Sequence, residues 1–227
     1  MSRPVVVVMV KAPVPGTVKT RLLLPPEEAA ALAAAFAGDV VRNARAVAEV
    51  LIAYAPADGR ALLKPLLPDG LHWTPQRGGG LGERLAGAMA DAVALGFGPL
   101  LVIGTDSPTL PPAYLAQALT LLTDTDVVLG PTEDGGFYLL GTHRPQPGLF
   151  EDVEWSTREV LAQTAENARV HGHSVGFLPP WYDVDTPEDL ERLRREMDSD
   201  PQARRLAPAT ARRLEERPPR PNSGEPE

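Results

Sequence analysis

The 227-residue chain contains no cysteine. That excludes a disulfide framework, a zinc–thiolate site, an iron–sulfur cluster and a cysteine nucleophile. Basic residues are also in deficit: 22 Lys and Arg stand against 30 Asp and Glu, a net charge of −8, and only three of the 22 are lysines. A nonspecific nucleic-acid binder needs a basic surface, so that class is excluded. Long apolar runs are missing too. Runs such as Val5–Val10 fall far short of the roughly 20 residues that span a bilayer. Val5–Val10 ends at Lys11 with no small-residue cleavage pattern, so no signal peptide is expected and a cytoplasmic protein is. No Gly-x-Ser-x-Gly elbow is present, and His72, His143, His171 and His173 show no ligand spacing.

What is present suits one domain. A chain of this length buries enough surface to fold without a staple, and 43% hydrophobic residues exclude wholesale disorder. The charge is uneven. Residues 198–227 hold six acids and six arginines, so the excess acid belongs to residues 1–197. The tail also holds six prolines and few large apolar residues. The expected organisation is a domain over 1–197 and a neutral Pro/Arg/Glu-rich tail over 198–227. That tail is read as largely disordered, with a short helix near 209–216 as an option.

Within the domain, strand-like and helix-like segments alternate. Pro4–Val10 and Pro99–Ile103 read as strands buried on both faces. Glu49–Tyr54, Val127–Gly130, Phe137–Leu140 and Val175–Leu178 read as further strands. Glu27–Val47, Leu81–Leu95, Pro112–Leu122, Ser156–Ala168 and Thr186–Met197 read as helices, with a short one at Ala61–Leu67. The alternation predicts an α/β fold with a mostly parallel sheet covered on both sides. Ligands of such sheets bind beyond the carboxyl ends of the strands.

The polar and glycine-rich segments fall at those ends. Lys11-Ala-Pro13-Val-Pro-Gly16-Thr-Val-Lys19-Thr20-Arg21 follows the first strand and projects cations beside a helix start, as phosphate binding requires. It is not a P-loop. Gln76-Arg-Gly-Gly79-Gly80-Leu-Gly82 offers a backbone that a base or phosphate can approach. Gly104-Thr-Asp106-Ser107-Pro108 places a carboxylate after a buried strand, where it is either a magnesium ligand or a turn cap. Asp134-Gly135-Gly136 between apolar runs predicts a hairpin, with a ligand approach as the alternative. Thr186-Pro-Glu-Asp189 is a capping box, which does not account for Asp183 and Asp185; these either favour the helix dipole or supply a second metal carboxylate. Ser156 to Glu159 reads as a second capping box.

Taken in order, these motifs resemble the GT-A nucleotide-diphospho-sugar transferase superfamily. They are most similar to its bacterial glycosyltransferase-A-like family, the rSAM/selenodomain-associated transferases of type 1, formerly a domain of unknown function. Lys19-Thr20-Arg21-Leu22 and Asp183-Val-Asp185-Thr-Pro are more distantly similar to phospholactate guanylyltransferases and molybdenum-cofactor nucleotidyltransferases. The resemblance spans about residues 4–195 and implies a three-layer α/β/α sandwich. It implies Mg²⁺ or Mn²⁺ held by Asp106 and Asp185, with Lys19 and Arg21 on the phosphates and Asp106, Lys19 and Arg21 as the catalytic set. It also implies nucleotide or substrate contacts from Lys11, Pro13, Gly16 and Thr20, from Gly79, Gly80 and Gly82, and from Ser107, Asp134, Gly135, Gly136 and Asp183. Asp-Ser-Pro stands where many sugar transferases have Asp-x-Asp.

The expected activity is therefore transfer from a nucleotide or nucleotide-sugar donor to a small-molecule acceptor. The Lys-Thr-Arg-Leu loop and the lone Asp106 favour nucleotidyl over glycosyl transfer. A non-catalytic nucleotide-binding module is the third reading, and fold alone does not separate them.

Overall fold

In the computed structural model, residues 2–216 are described. Seven strands form one sheet: β1 (Arg3–Lys11), β2 (Glu49–Ala55), β3 (His72–Pro75), β4 (Phe97–Ile103), β5 (Val127–Pro131), β6 (Phe137–Thr142) and β7 (Val175–Phe177). Their order is β3-β2-β1-β4-β6-β5-β7, and β6 runs antiparallel to both of its neighbours while the other pairs are parallel. The expected α/β sandwich is the observed one.

The valine-rich run of β1 follows from its position. Val6, Val8 and Val10 face one helical layer and Val5 and Val7 the other, and all five are buried. On the first side lie α1 (Pro26–Arg45), α2 (Arg60–Leu63) and α4 (Pro112–Leu121). On the second lie α3 (Leu81–Ala94) and α5 (Val160–Val170). The helix expected from Ser156 starts four residues later. Ser156 has a left-handed backbone, φ 66°, and makes no capping box, so that reading is corrected. The strand β3 had no counterpart in the sequence reading.

The larger difference is at the C-terminal end. After α6 (Pro187–Ser199), the stretch expected to be largely disordered forms α7 (Pro201–Leu206), which has no counterpart in that expectation, and α8 (Pro208–Glu215), which matches the short helix offered near 209–216. Both lie on the outer side of α1, in a cluster where Ala203, Ala207, Ala211 and Leu214 bury themselves against Leu32 and Phe36. Small alanines let the helices approach closely, so few large apolar residues are needed. The domain therefore runs past Met197. The disorder expected for the last stretch, 217–227, lies outside the described residues.

Polar groups of α1 fasten this layer. Asp39, 2% exposed, accepts from the Ala209 and Thr210 N–H groups at 3.2 and 2.8 Å and from the Thr210 hydroxyl at 2.8 Å. Ala207 offers α8 no side-chain cap, so Asp39 supplies one from another helix. Asn43 donates to the Leu206 carbonyl at 2.9 Å and closes the end of α7. On the opposite side of the sheet, Asp91 of α3 accepts from the Thr74 hydroxyl of β3 and from Arg77. Burial pushes the Asp91 carboxyl up, but the bonds from Arg77 and Thr74 outweigh this and hold it below its usual range.

Two stability measurements follow from these anchors. Asp39→Ala strips α8 of its cap inside a buried cluster, and chemical denaturation should show a loss of about 2 kcal/mol. Asp91→Asn should cost about 1 kcal/mol at pH 7. Because the folded carboxyl titrates below the unfolded one, the stabilisation is present above about pH 4 and fades as pH falls further. The gap between variant and wild type should narrow as pH falls below about 4, and a gap that stays the same across the acid range would exclude an ionic contribution.

Candidate active site

Three segments meet at the carboxyl edge of the parallel strands. The loop after β1 brings Lys19, the loop after β4 brings Asp106 and Ser107, and the extended stretch before α6 brings Asp183 and Asp185. That stretch is stitched across the sheet edge by Trp181 N–H to the Pro131 carbonyl at 3.0 Å and Val184 N–H to the Asp106 carbonyl at 2.9 Å. Its extended backbone alternates side chains: Val184 is fully buried in the outer cluster, so Asp183 and Asp185 face the other way, into the cavity. The capping box at Thr186 and Asp189 then starts α6 and fixes the register. Asp189 also accepts from the Asp185 N–H at 3.1 Å.

The centre is an ammonium among oxygens. Lys19 Nζ forms an ion pair with Asp106 Oδ1, donates to Asp185 Oδ1 at 3.1 Å and donates to the Val184 carbonyl at 2.6 Å. The Phe36 ring lies 5.3 Å away on a further side. The Lys19 side chain is 6% exposed, against 45% for Asp106 and 39% for Asp185. Burial alone would lower its pKa, but the two carboxylates raise it above the ordinary lysine value, so the group is charged. Lys19 has a left-handed backbone, φ 49°, as does Leu23 at φ 54°, and the single 3₁₀ turn Thr20–Leu22 lies between them. Arg21 reaches Asp185 Oδ2 at 3.4 Å from an exposed position.

Asp183 is a different kind of carboxyl. Burial, with the charges of Asp106, Asp185 and Asp134, pushes it up to about 7 against the lowering effect of Ser107. Ser107 Oγ lies 2.6 Å from Asp183 Oδ1 and 3.0 Å from the Tyr182 carbonyl. One hydroxyl has one proton, so Ser107 satisfies the carbonyl when protonated Asp183 donates to it.

These residues line a cavity of about 460 Å³, within the size range of small-molecule sites. Of the residues singled out in the sequence, Lys11, Lys19, Thr20, Arg21, Asp106, Ser107, Asp183 and Asp185 are on its wall. Pro13, Gly16, Gly79, Gly80, Gly82, Asp134, Gly135 and Gly136 are not. Gly82 instead admits close packing of Phe150 and Trp155, whose atoms lie 3.0 and 3.1 Å from where a Cβ would stand. Gly135, at φ 93°, lies against the Arg158 backbone with no room for a side chain. Asp134 accepts from the Thr132 hydroxyl at 2.5 Å and the Gly136 N–H at 3.1 Å, which makes it a turn residue of the β5–β6 connection. Thr17, Gln76 and Arg84 also line the cavity; they lie in or beside the glycine-rich and basic segments but had no role assigned to their side chains. Gln76 follows β3, the strand without a readable pattern.

The oxygen set bears on a metal. Two carboxylates and a carbonyl already converge on one cationic centre, and hard oxygen donors suit Mg²⁺ or Mn²⁺. Among the described residues no group of three His, Cys, Asp or Glu side chains is arranged to hold a metal. The chain would thus give at most two carboxylates, the usual share when phosphate oxygens and water complete a magnesium shell. Among the described residues, no helix is long and apolar enough to cross a membrane.

Similarity to known proteins agrees with this architecture. The profile of the family described as "Uncharacterized protein conserved in bacteria (DUF2064)" matches residues 39–157. Comparison with curated proteins finds no match. A crystal structure from Desulfovibrio desulfuricans G20, described as a candidate nucleotide-diphospho-sugar transferase, is 34% identical and covers 95% of each chain with a TM-score of 0.82. CMP:2-keto-3-deoxy-manno-octonic acid synthetase in complex with CTP is similar in fold at 16% identity and a TM-score of 0.55, over 87% of this chain and 99% of its own. Rv0371C from Mycobacterium tuberculosis H37Rv, in complex with manganese, is similar at 16% identity and a TM-score of 0.50, over 84% of this chain and 97% of its own.

Proposed function

This chain belongs to the DUF2064 family of bacterial proteins, and we propose that it is a divalent-metal-dependent transferase whose donor is a nucleotide. The observation that carries the reading is the convergence of Lys19, Asp106 and Asp185 inside the strand-end cavity. An acidic chain that takes up a polyanion must offset repulsion locally, and this is where its cations and metal-competent oxygens meet. Mg²⁺ or Mn²⁺ held by Asp106 and Asp185 would neutralise phosphate charge and complete its shell on phosphate oxygens. The manganese complex of the mycobacterial structural neighbour is in keeping with that choice.

The protein groups have separable tasks. Arg21, held to Asp185 only at 3.4 Å and well exposed, is free to swing onto a phosphate. Lys11 and Thr20 give the same wall a further cation and a hydroxyl. Lys19 neutralises the paired carboxylates before the donor arrives. Asp183 and Ser107 hold an exchangeable proton beside them. In nucleotidyl transfer, an acceptor phosphate or carboxylate oxygen attacks the α-phosphorus. The bond from that phosphorus to the bridging oxygen breaks, and pyrophosphate leaves with the electron pair. Positive charge from Arg21 and the lysines meets the charge that develops on the leaving group.

The single aspartate of the Asp106-Ser107-Pro108 loop favours nucleotidyl transfer. The description of the Desulfovibrio protein favours the second reading, in which an acceptor attacks the sugar carbon of a nucleotide sugar and a nucleoside diphosphate leaves. Incubation with each nucleoside triphosphate and each nucleotide sugar, with Mg²⁺ or Mn²⁺, separates them: pyrophosphate release marks the first and nucleoside diphosphate the second. Asp106→Asn should lower turnover at least a hundredfold in either case. Unchanged turnover would remove Asp106 from the site.

Lys19 makes a separate point about metal affinity. It and a divalent cation compete for the same two carboxylates. Lys19→Met should therefore bind Mn²⁺ about tenfold more tightly without nucleotide, as followed by the electron paramagnetic resonance of free Mn²⁺. Weaker binding in the variant would mean that Lys19 instead holds the carboxylates in place.

A further inference from the structure

One cation on the cavity wall has no anion to match it. Arg84 stands in the first turn of α3 and lines the cavity with its helix neighbours Leu81 and Leu85. Its Nε donates to the Gly78 carbonyl at 3.2 Å, which tethers the guanidinium to the segment before α3. Among the described residues, no acceptor meets its two terminal nitrogens and no carboxylate forms an ion pair with it. The adjacent Glu83 is turned elsewhere, since its Oε2 accepts from the Gly79 N–H at 2.7 Å. Arg77, on the same stretch, does find a carboxylate, that of Asp91. In a chain with 30 Asp and Glu, a half-buried arginine left unpaired at a cavity wall is a group held ready for an anion from outside.

The donor does not supply that anion. Its phosphates meet Lys11, Lys19 and Arg21 from the segment after β1, and Lys19 rests against Phe36 of α1. The helix α3 covers the opposite face of the sheet from α1. The phosphates of a nucleotide form one contiguous chain, and its ribose and base are uncharged. A cation on the far face therefore calls for a second molecule. We propose that Arg84 sets the acceptor specificity: it binds a carboxylate or phosphate group of the acceptor, which is therefore an acid. This rests on the reading above that a nucleotide donor fills the phosphate end of the cavity. The guanidinium matches the paired oxygens of either group, which a neutral alcohol or an amine does not offer. With Nε already engaged, the two terminal nitrogens remain for those oxygens. Leu85 and Phe137, on the same side of the sheet, give this part of the wall apolar surface for the acceptor's carbon skeleton.

The experiment uses the full chain saturated with Mg²⁺ and its tightest-binding nucleoside triphosphate or nucleotide sugar, so that the donor end is filled. Orthophosphate and, separately, malonate are titrated in, with affinity read by calorimetry and location by the arginine Nε–H signals in ¹⁵N NMR. At least one anion should bind and shift the Arg84 signal, which is identified by its loss in Arg84→Met; the tighter of the two tells a phosphate acceptor from a carboxylate one. Arg84→Met should weaken that anion at least tenfold and change nucleotide affinity less than about threefold. Three results overturn the proposal while the nucleotide reading stands: no anion binds the nucleotide-saturated wild type, the Arg84 signal does not move, or Arg84→Met loses tenfold in nucleotide affinity. Failure of every nucleotide to bind overturns both. If Arg84→Met does not fold, Arg84→Lys serves for the signal assignment and the wild-type titrations decide the matter.

Discussion

Everything at the working edge of this molecule hangs on one ammonium. Lys19 is nearly buried, and a lone lysine there would be expelled or neutralised. It stays charged because Asp106 and Asp185 pair with it. The dependence is mutual, since Asp106, Asp183 and Asp185 crowd one corner of an acidic domain. The bond from Lys19 to the Val184 carbonyl joins the loop after β1 to the approach to α6 across 165 positions of sequence. The left-handed backbone of Lys19 is a local cost that these contacts offset. The geometry is thus that of a cluster whose opposite charges are already paired, and the proposed polyanion and metal would have to enter it by exchange.

The site is also supported from behind. Tyr182 and Thr109 both donate to Glu196 of α6, and the Arg192 guanidinium lies 3.9 Å from the centre of the Tyr182 ring. Arg192 in turn holds Glu133 through two bonds of 2.6 and 2.8 Å. One helix therefore ties the β5–β6 turn, the Asp106 loop and the Asp183 segment into a unit. Its N-terminus is set by the capping box and its buried side by Leu190, Leu193 and Met197.

What could be read from sequence was what local chemistry decides. The valine run of β1, the apolar run of β4, the alternation of strands and helices and the Thr186–Asp189 box all announce themselves within a few residues, and the family and fold suggested by the motif order are those found. The strand β3 is only four residues long and carries no periodic signal. The helices α7 and α8 pack through alanines, which look like tail composition until α1 supplies the other half. Asp39 and Asn43 in an Ala-rich helix were the available clue: two polar residues four apart, on one stripe of α1. Lys19 was legible as a cation but not as a buried one, since its partners lie 87 and 166 positions away. Glycines misled in the opposite sense. At Gly82 and Gly135 the absence of a side chain makes room for Phe150, Trp155 and Arg158 rather than for a ligand.

The outer layer of α6, α7 and α8 makes α1 an interior helix, covered by the sheet on one side and by these helices on the other. Such a helix has nowhere to go. Ala33 and Val40 of α1 belong to the cavity wall, so that wall is rigid by construction. Across the cavity, residues 77–81 are exposed and lie outside any such enclosure. The two sides of the cavity are accordingly built unequally: one stands on an enclosed helix, the other on the solvent-exposed start of α3 at Leu81.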